Sequence, residues 1–82
     1  MQNFSYVYIL QSKSASDRFY VGITDDIRAR LYRHNLGGVL HTAKFKPWAL
    51  KTAIAFRDRR RASEFERYLK TYSGRAFAKK RL

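Results

Sequence analysis

The sequence predicts an α+β fold: a small three-stranded antiparallel sheet flanked by helices, in the order ββαβα plus a C-terminal helix. Three observations predict it. Two runs rich in β-branched and aromatic residues flank a short polar turn near the start of the chain. Two later segments open on residues suited to capping a helix and then place apolar residues at helical spacing. A third strand-like run follows Pro47.

Phe4–Gln11 is the first strand, and Ser12–Arg18, with Ser14, Ser16 and Asp17, supplies turn residues for a hairpin loop. Phe19–Ile23 is the second strand, antiparallel to the first. Thr24, Asp25 and Asp26 bring short side-chain oxygens that can accept orphan helix N–H groups. A helix follows from about Ile27 to Leu36, and Gly37 and Gly38 stop it. A loop leads to Pro47, and Trp48–Phe56 is the third strand. Asp58 caps a second helix that runs to about Tyr72, with Ser73 and Gly74 as its stop. Arg75–Leu82 forms a short basic helix.

The 82 residues suffice for one domain, expected to span 1–82. Their hydrophobic fraction of 45% is enough to build a core. Without cysteine, disulfides and thiolate zinc sites are excluded. The longest apolar run near the start, Val7 to Leu10, is too short for a bilayer span or a signal sequence, so the expected compartment is cytoplasmic. Lys and Arg number 18 against six acids, a net charge of +12. Self-repulsion of that size opposes compaction and points to a polyanionic partner, with nucleic acid ahead of an anionic membrane.

Some polar residues fall where a core is expected. Strand alternation places Phe4, Tyr6, Tyr8 and Leu10 on one face and Val7 and Ile9 on the other. Tyr20 and Gly22 share a face of the second strand, and a glycine there lets another group approach the backbone. In the first helix, Ile27, Arg30, Leu31 and His34 lie on one stripe. In the second, Ala62, Phe65, Leu69 and Ser73 define the inner stripe, and Glu66 lies within it while Glu64 faces away. Each has a structural explanation: packing for the tyrosines, snorkelling for Arg30, a satisfied half-buried imidazole for His34. A carboxylate near the core needs a partner. For Glu66 this is either Arg30 or a divalent ion of the Mg²⁺ kind, which prefers few carboxylates and several waters.

These residues resemble a known family. Tyr6-Val7-Tyr8 and Tyr20-Val21-Gly22 resemble the two tripeptides that name the GIY-YIG nucleases. The stretch from Gly22 to Asn35 resembles the family's first helix, with its Arg and His four apart. Thr42, Pro47 and Trp48 resemble the approach to the third strand in small single-domain bacterial members. Ala62, Glu66, Leu69, Lys70, Ser73 and Gly74 resemble their second helix and its end. Tyr6 replaces the first Gly of the name motif, as in many small members. No Asn follows Glu66 in the manner of larger relatives, and a separate DNA-binding domain of the kind they carry is not expected.

The resemblance implies a metal-dependent endonuclease acting on phosphodiester bonds, DNA foremost, with a setting in DNA repair. It implies Tyr8 and Tyr20 as paired catalytic tyrosines and Arg30 as the ligand of the scissile phosphate. His34 would assist proton transfer, and Glu66 would hold one Mg²⁺ or Mn²⁺. Such chemistry needs an attacking water, charge stabilisation on phosphoryl oxygens and help for the leaving oxygen, which an Arg fork and a metal can supply. A free Tyr titrates near pH 10, so as a base it needs Arg30 and the metal to lower its pKa. His34 could relay the proton instead.

Arg28, Arg33, Lys44, Lys46, Lys70, Arg75, Lys79 and Lys80 form the expected phosphate-binding set. The run Arg59 to Arg61 opposes the helix dipole and has a plain reading as a solvated first turn. So small a domain is expected to read little sequence itself and to leave specificity to a protein partner; its oligomeric state is open. The rival reading is a basic nucleic-acid-binding module without chemistry.

Overall fold

The computed structural model describes residues 3–82, so residues 1 and 2 of the expected 1–82 unit lie outside it. The chain forms β1 (Ser5–Ser12), β2 (Phe19–Thr24), α1 (Ile27–Asn35), a 3₁₀ turn (Ala43–Phe45), β3 (Trp48–Phe56), α2 (Arg59–Leu69) and α3 (Tyr72–Arg81). The sheet order is β2-β1-β3, antiparallel throughout. This is the α+β architecture that the sequence predicts.

As the central strand, β1 carries apolar side chains on both faces. Val7 and Ile9 pack with Ala62 and Leu69 of α2, joined by Val21, Ile23, Phe56, Phe65, Ala78 and Leu82. Tyr8 and Leu10 pack with Trp48 on the opposite face, joined by Tyr20, Ile27, Leu31 and Phe45. So α1 covers one face of the sheet and α2 with α3 covers the other. A strand buried on both sides reads as a near-continuous apolar run, as Val7 to Leu10 does.

The caps are local and readable. The Asp26 carboxylate accepts from the Ala29 amide at 3.1 Å and opens α1. Asp58 accepts from the Arg60 amide at 2.9 Å and opens α2, which places a carboxylate beside the Arg59 to Arg61 run. α1 ends in a Schellman motif: Gly37 N–H donates to the His34 carbonyl at 3.1 Å and Gly38 N–H to the Arg33 carbonyl at 3.0 Å. Gly37 adopts φ 80°, the left-handed conformation that this stop requires.

One expectation needs correction. α2 ends at Leu69, not near Tyr72, and Ser73 and Gly74 lie in the first turn of α3. The reason is Thr71. Its hydroxyl donates to the Tyr68 carbonyl at 2.6 Å and accepts from the Gly74 amide at 3.0 Å, so it closes one helix and starts the next. Gly74 is buried against the end of α2, and a Cβ there would run into the Tyr68 carbonyl oxygen. Its glycine serves a close approach of two helices, not a helix stop.

Gly74→Ala is therefore expected to cost about 1–3 kcal/mol, the usual range for overpacking. Thermal unfolding measures it, with Ser73→Ala, at an exposed neighbouring position, as the control that stays near the parent midpoint.

Candidate active site

The register sets the site. Tyr8 of β1 lies directly opposite Gly22 of β2, and Tyr20 is the diagonal neighbour two residues away. A Cβ at Gly22 would collide with the Tyr8 hydroxyl, so the glycine makes the space into which that hydroxyl reaches. α1 then lays His34 against the same face. The Tyr8 and Tyr20 rings are 6.3 Å apart, and the His34 ring is 4.8 Å from Tyr20 and 6.1 Å from Tyr8.

His34 is fully buried, at 0% exposure, and both ring nitrogens have partners. Nε2 lies 3.1 Å from the Tyr8 hydroxyl, and Nδ1 lies 2.8 Å from the Thr42 hydroxyl. Tyr8 and Thr42 are each 1% exposed. This is more complete burial than the half-buried imidazole considered from sequence. A helix of mixed polarity can bury a histidine this way only where hydrogen-bond partners wait for it.

Arg30, one helical turn before His34, is half-buried and acts on both groups. The Tyr8 hydroxyl is pushed up to about 12, first by burial and then by Tyr20. The positive charge of Arg30 pulls the other way, and Glu66 adds a smaller upward push. The expectation that neighbouring cations lower this tyrosine therefore meets a stronger opponent in burial. His34 is held below its ordinary 6.5, first by burial and then by the charges of Arg30 and Arg33.

Glu66 reaches the site from α2, on the far side of the sheet. Its cation is Lys70, one turn along the same helix, not Arg30. The Glu66 side chain is 14% exposed and Lys70 is 51% exposed, so the pair sits at the rim. Among the described residues no three His, Cys, Asp or Glu side chains gather to hold a metal. A single rim carboxylate suits an ion that keeps most of its waters.

The expected phosphate-binding residues divide between the two faces. Lys70, Arg75 and Lys79 line a groove of about 940 Å³ that also holds Tyr20 and the exposed Phe19. Arg28 and Arg33 lie on α1, and Lys44 and Lys46 lie in and just after the 3₁₀ turn. Lys80 is exposed on α3 outside that groove lining. Arg18 and Lys51 line the groove too, and sequence reading missed them. Arg18 belongs to the hairpin loop and Lys51 to a strand, so neither stands in a basic run. Thr42 was visible only as a position of resemblance.

Residues 4–81 match the family model described as the GIY-YIG catalytic domain. The chain belongs to the GIY-YIG family. Its match to a UPF0213 protein of Lacticaseibacillus paracasei is 39% identical over 66 residues, covering 79% of this chain and 72% of that protein. GIY-YIG domains are nuclease-type domains, which agrees with the small single-domain kind that the motifs resemble. No helix among the described residues is long and apolar enough to cross a membrane.

Two titrations should frame the stability of the GIY-YIG chain. His34 resists protonation when folded, so its contribution is present above about pH 6.5 and lost as the pH falls below it. Tyr8 resists deprotonation when folded, so its contribution is present below about pH 10 and lost as the pH rises towards about 12. Denaturant unfolding across pH should show a plateau between these limits, and His34→Gln should remove much of the acid limb.

Proposed function

We propose that this chain is a divalent-metal-dependent endonuclease that hydrolyses nucleic-acid phosphodiester bonds, with DNA as the favoured substrate and little sequence preference of its own. The observation that carries the reading is the buried Tyr8–His34 hydrogen bond with Arg30 acting on both partners. A hydroxyl of a core tyrosine, room made for it by Gly22, is more than sheet packing requires.

In this reading the scissile phosphate approaches Arg30, whose planar fork offers paired donors to phosphoryl oxygens. Charge that develops on those oxygens is stabilised there. Tyr8 faces the attacking water and shares its proton with His34. Tyr20 packs at a tilt against His34 and borders the basic groove, where Lys70, Arg75 and Lys79 can hold the substrate backbone. Glu66 is the residue that would hold one Mg²⁺ or Mn²⁺, with Lys70 released towards a phosphate. When bound, that ion supplies charge stabilisation for the leaving oxygen.

The second reading, a binding module without chemistry, is favoured by one observation: Glu66 already has a cation in Lys70. A cleavage assay with and without Mg²⁺ or Mn²⁺ separates the two. Single-stranded, duplex, flap and branched DNA and RNA substrates would then identify the substrate form.

Arg30→Ala and Glu66→Gln are expected to abolish cleavage while binding persists, and Glu64→Ala, on the exposed side of α2, should cut normally. Tyr8→Phe is expected to lower the single-turnover rate about 10²- to 10⁴-fold, the scale of general-base help. It should also cost about 1–3 kcal/mol, because the buried His34 Nε2 loses its partner. Tyr20→Phe should leave the unfolding midpoint nearly unchanged, so any loss of rate there is chemical. Cleavage at the parent rate by both tyrosine variants would reduce them to packing residues.

Binding is expected to weaken with salt, log affinity falling by about 0.7 to 0.9 per phosphate contact for each unit of log salt. A titration from low to physiological salt measures the slope, and a flat line would exclude an electrostatic footprint.

A further inference from the structure

Thr42 is buried, lies in the loop before β3, and has no part in the chemistry proposed above. Its hydroxyl is 2.8 Å from His34 Nδ1 and 3.2 Å from the Val39 carbonyl. A hydroxyl has one proton to give. The Val39 carbonyl can only accept, so both contacts of the hydroxyl are satisfied together when that proton goes to the carbonyl. The same oxygen then offers a lone pair to Nδ1, which must carry a hydrogen of its own.

The far end of the ring favours the same arrangement. The Tyr8 hydroxyl lies 3.1 Å from Nε2, and His34 is its one side-chain hydrogen-bond partner among the described residues. The Tyr8 proton has an acceptor in His34 only if Nε2 is bare. In the opposite tautomer Nε2–H would donate to the Tyr8 oxygen, and the Tyr8 proton would be left without a side-chain acceptor among the described residues.

We propose that Thr42 is a positioning residue that holds His34 as the Nδ1–H tautomer, keeping Nε2 free to receive the Tyr8 proton as Tyr8 takes one from the attacking water. The catalytic half rests on the nuclease reading; the tautomer rests on the hydrogen bonds alone. In the step, the water oxygen bonds to phosphorus and its proton passes to the Tyr8 oxygen. The proton of Tyr8 moves to Nε2, and the bond to the leaving oxygen breaks with its electron pair. Tyr8 is thus never left as a buried phenolate. The imidazolium then returns its proton through Tyr8 to solvent, and the leaving oxygen takes one from water.

Thr42 is itself held. The Trp48 indole N–H donates to the Thr42 carbonyl at 2.9 Å. Asn35, next to His34, accepts from the Trp48 amide at 2.6 Å and donates to the Trp48 carbonyl at 3.1 Å. The end of α1 and the start of β3 therefore clamp the loop that carries the hydroxyl. This gives a physical reason for the order His34, Asn35, Thr42, Trp48.

The test is the imidazole ¹⁵N spectrum of His34 above its titration, in the parent, Thr42→Val and Thr42→Ser, with single-turnover cleavage and oligonucleotide affinity for each. The parent should show a protonated Nδ1 and a bare Nε2. Thr42→Val should shift the ring towards Nε2–H and lower the cleavage rate by up to about 10²- to 10⁴-fold, with affinity unchanged. Thr42→Ser, which keeps the hydroxyl, should restore both. A protonated Nε2 in the parent overturns the proposal, and this reading stands even if Thr42→Val does not fold. Parental tautomer and rate in Thr42→Val overturn it too. The expected tautomer in a parent that cuts no substrate instead sinks the nuclease reading and leaves the positioning of His34 intact.

Discussion

The structure depends on β1 being buried on both faces. A strand in that position must be paired along both edges, because an unpaired backbone group in a core is costly. It must also be covered above and below. β2 and β3 meet the first demand, and α1 on one side with α2 and α3 on the other meet the second. With so few residues, nothing is left for a separate active-site layer. The polar groups must therefore be placed inside the core itself.

That constraint shapes the chemistry. Tyr8 is a core residue and a candidate catalytic residue at once, flanked by Leu10 and Trp48 in the same cluster. Burial keeps its hydroxyl and the His34 ring neutral, and a neutral pair can share a proton in a way that an ion pair cannot. Arg30 then stands as the cation beside them, half-exposed and open to an anion. The apolar surroundings and the hydrogen-bonded Tyr8–His34 pair form a single packed unit.

Much of this was legible because it is local. Alternation in β1 separated Tyr8 from Val7, and helical spacing brought Arg30 and His34 onto one stripe of α1. Asp26 and Asp58 announced the helix starts. What escaped the sequence is non-local or depends on exact approach. Gly74 looks like a helix stop, and only the packing of α3 on α2 shows that it is there for lack of a Cβ. Glu66 needed a partner, and the sequence offered Arg30 or a divalent ion; the cation it meets is Lys70, one turn along its own helix, because Arg30 lies across the sheet. Thr42 carries no periodic signal at all; its meaning appears only when the loop folds against His34. The roles of Tyr8, Tyr20, Arg30, His34 and Glu66 remain a reading of chemistry and kinship, now with a geometry attached.

The doubled role of Thr71 has a mechanical consequence. Because one hydroxyl closes α2 and opens α3, the two helix ends share an anchor, and the pair forms a bent rod with its elbow at Thr71. Lys70, Arg75 and Lys79 ride on that rod on either side of the bend. Arg75 and Lys79 are about 6 Å apart along the helix, four residues at about 1.5 Å each. The backbone thus spaces them at a set interval, and from it two exposed basic side chains reach outward. A polyanion lying along it would be met at set intervals, and its register against the tyrosines would be decided by the elbow.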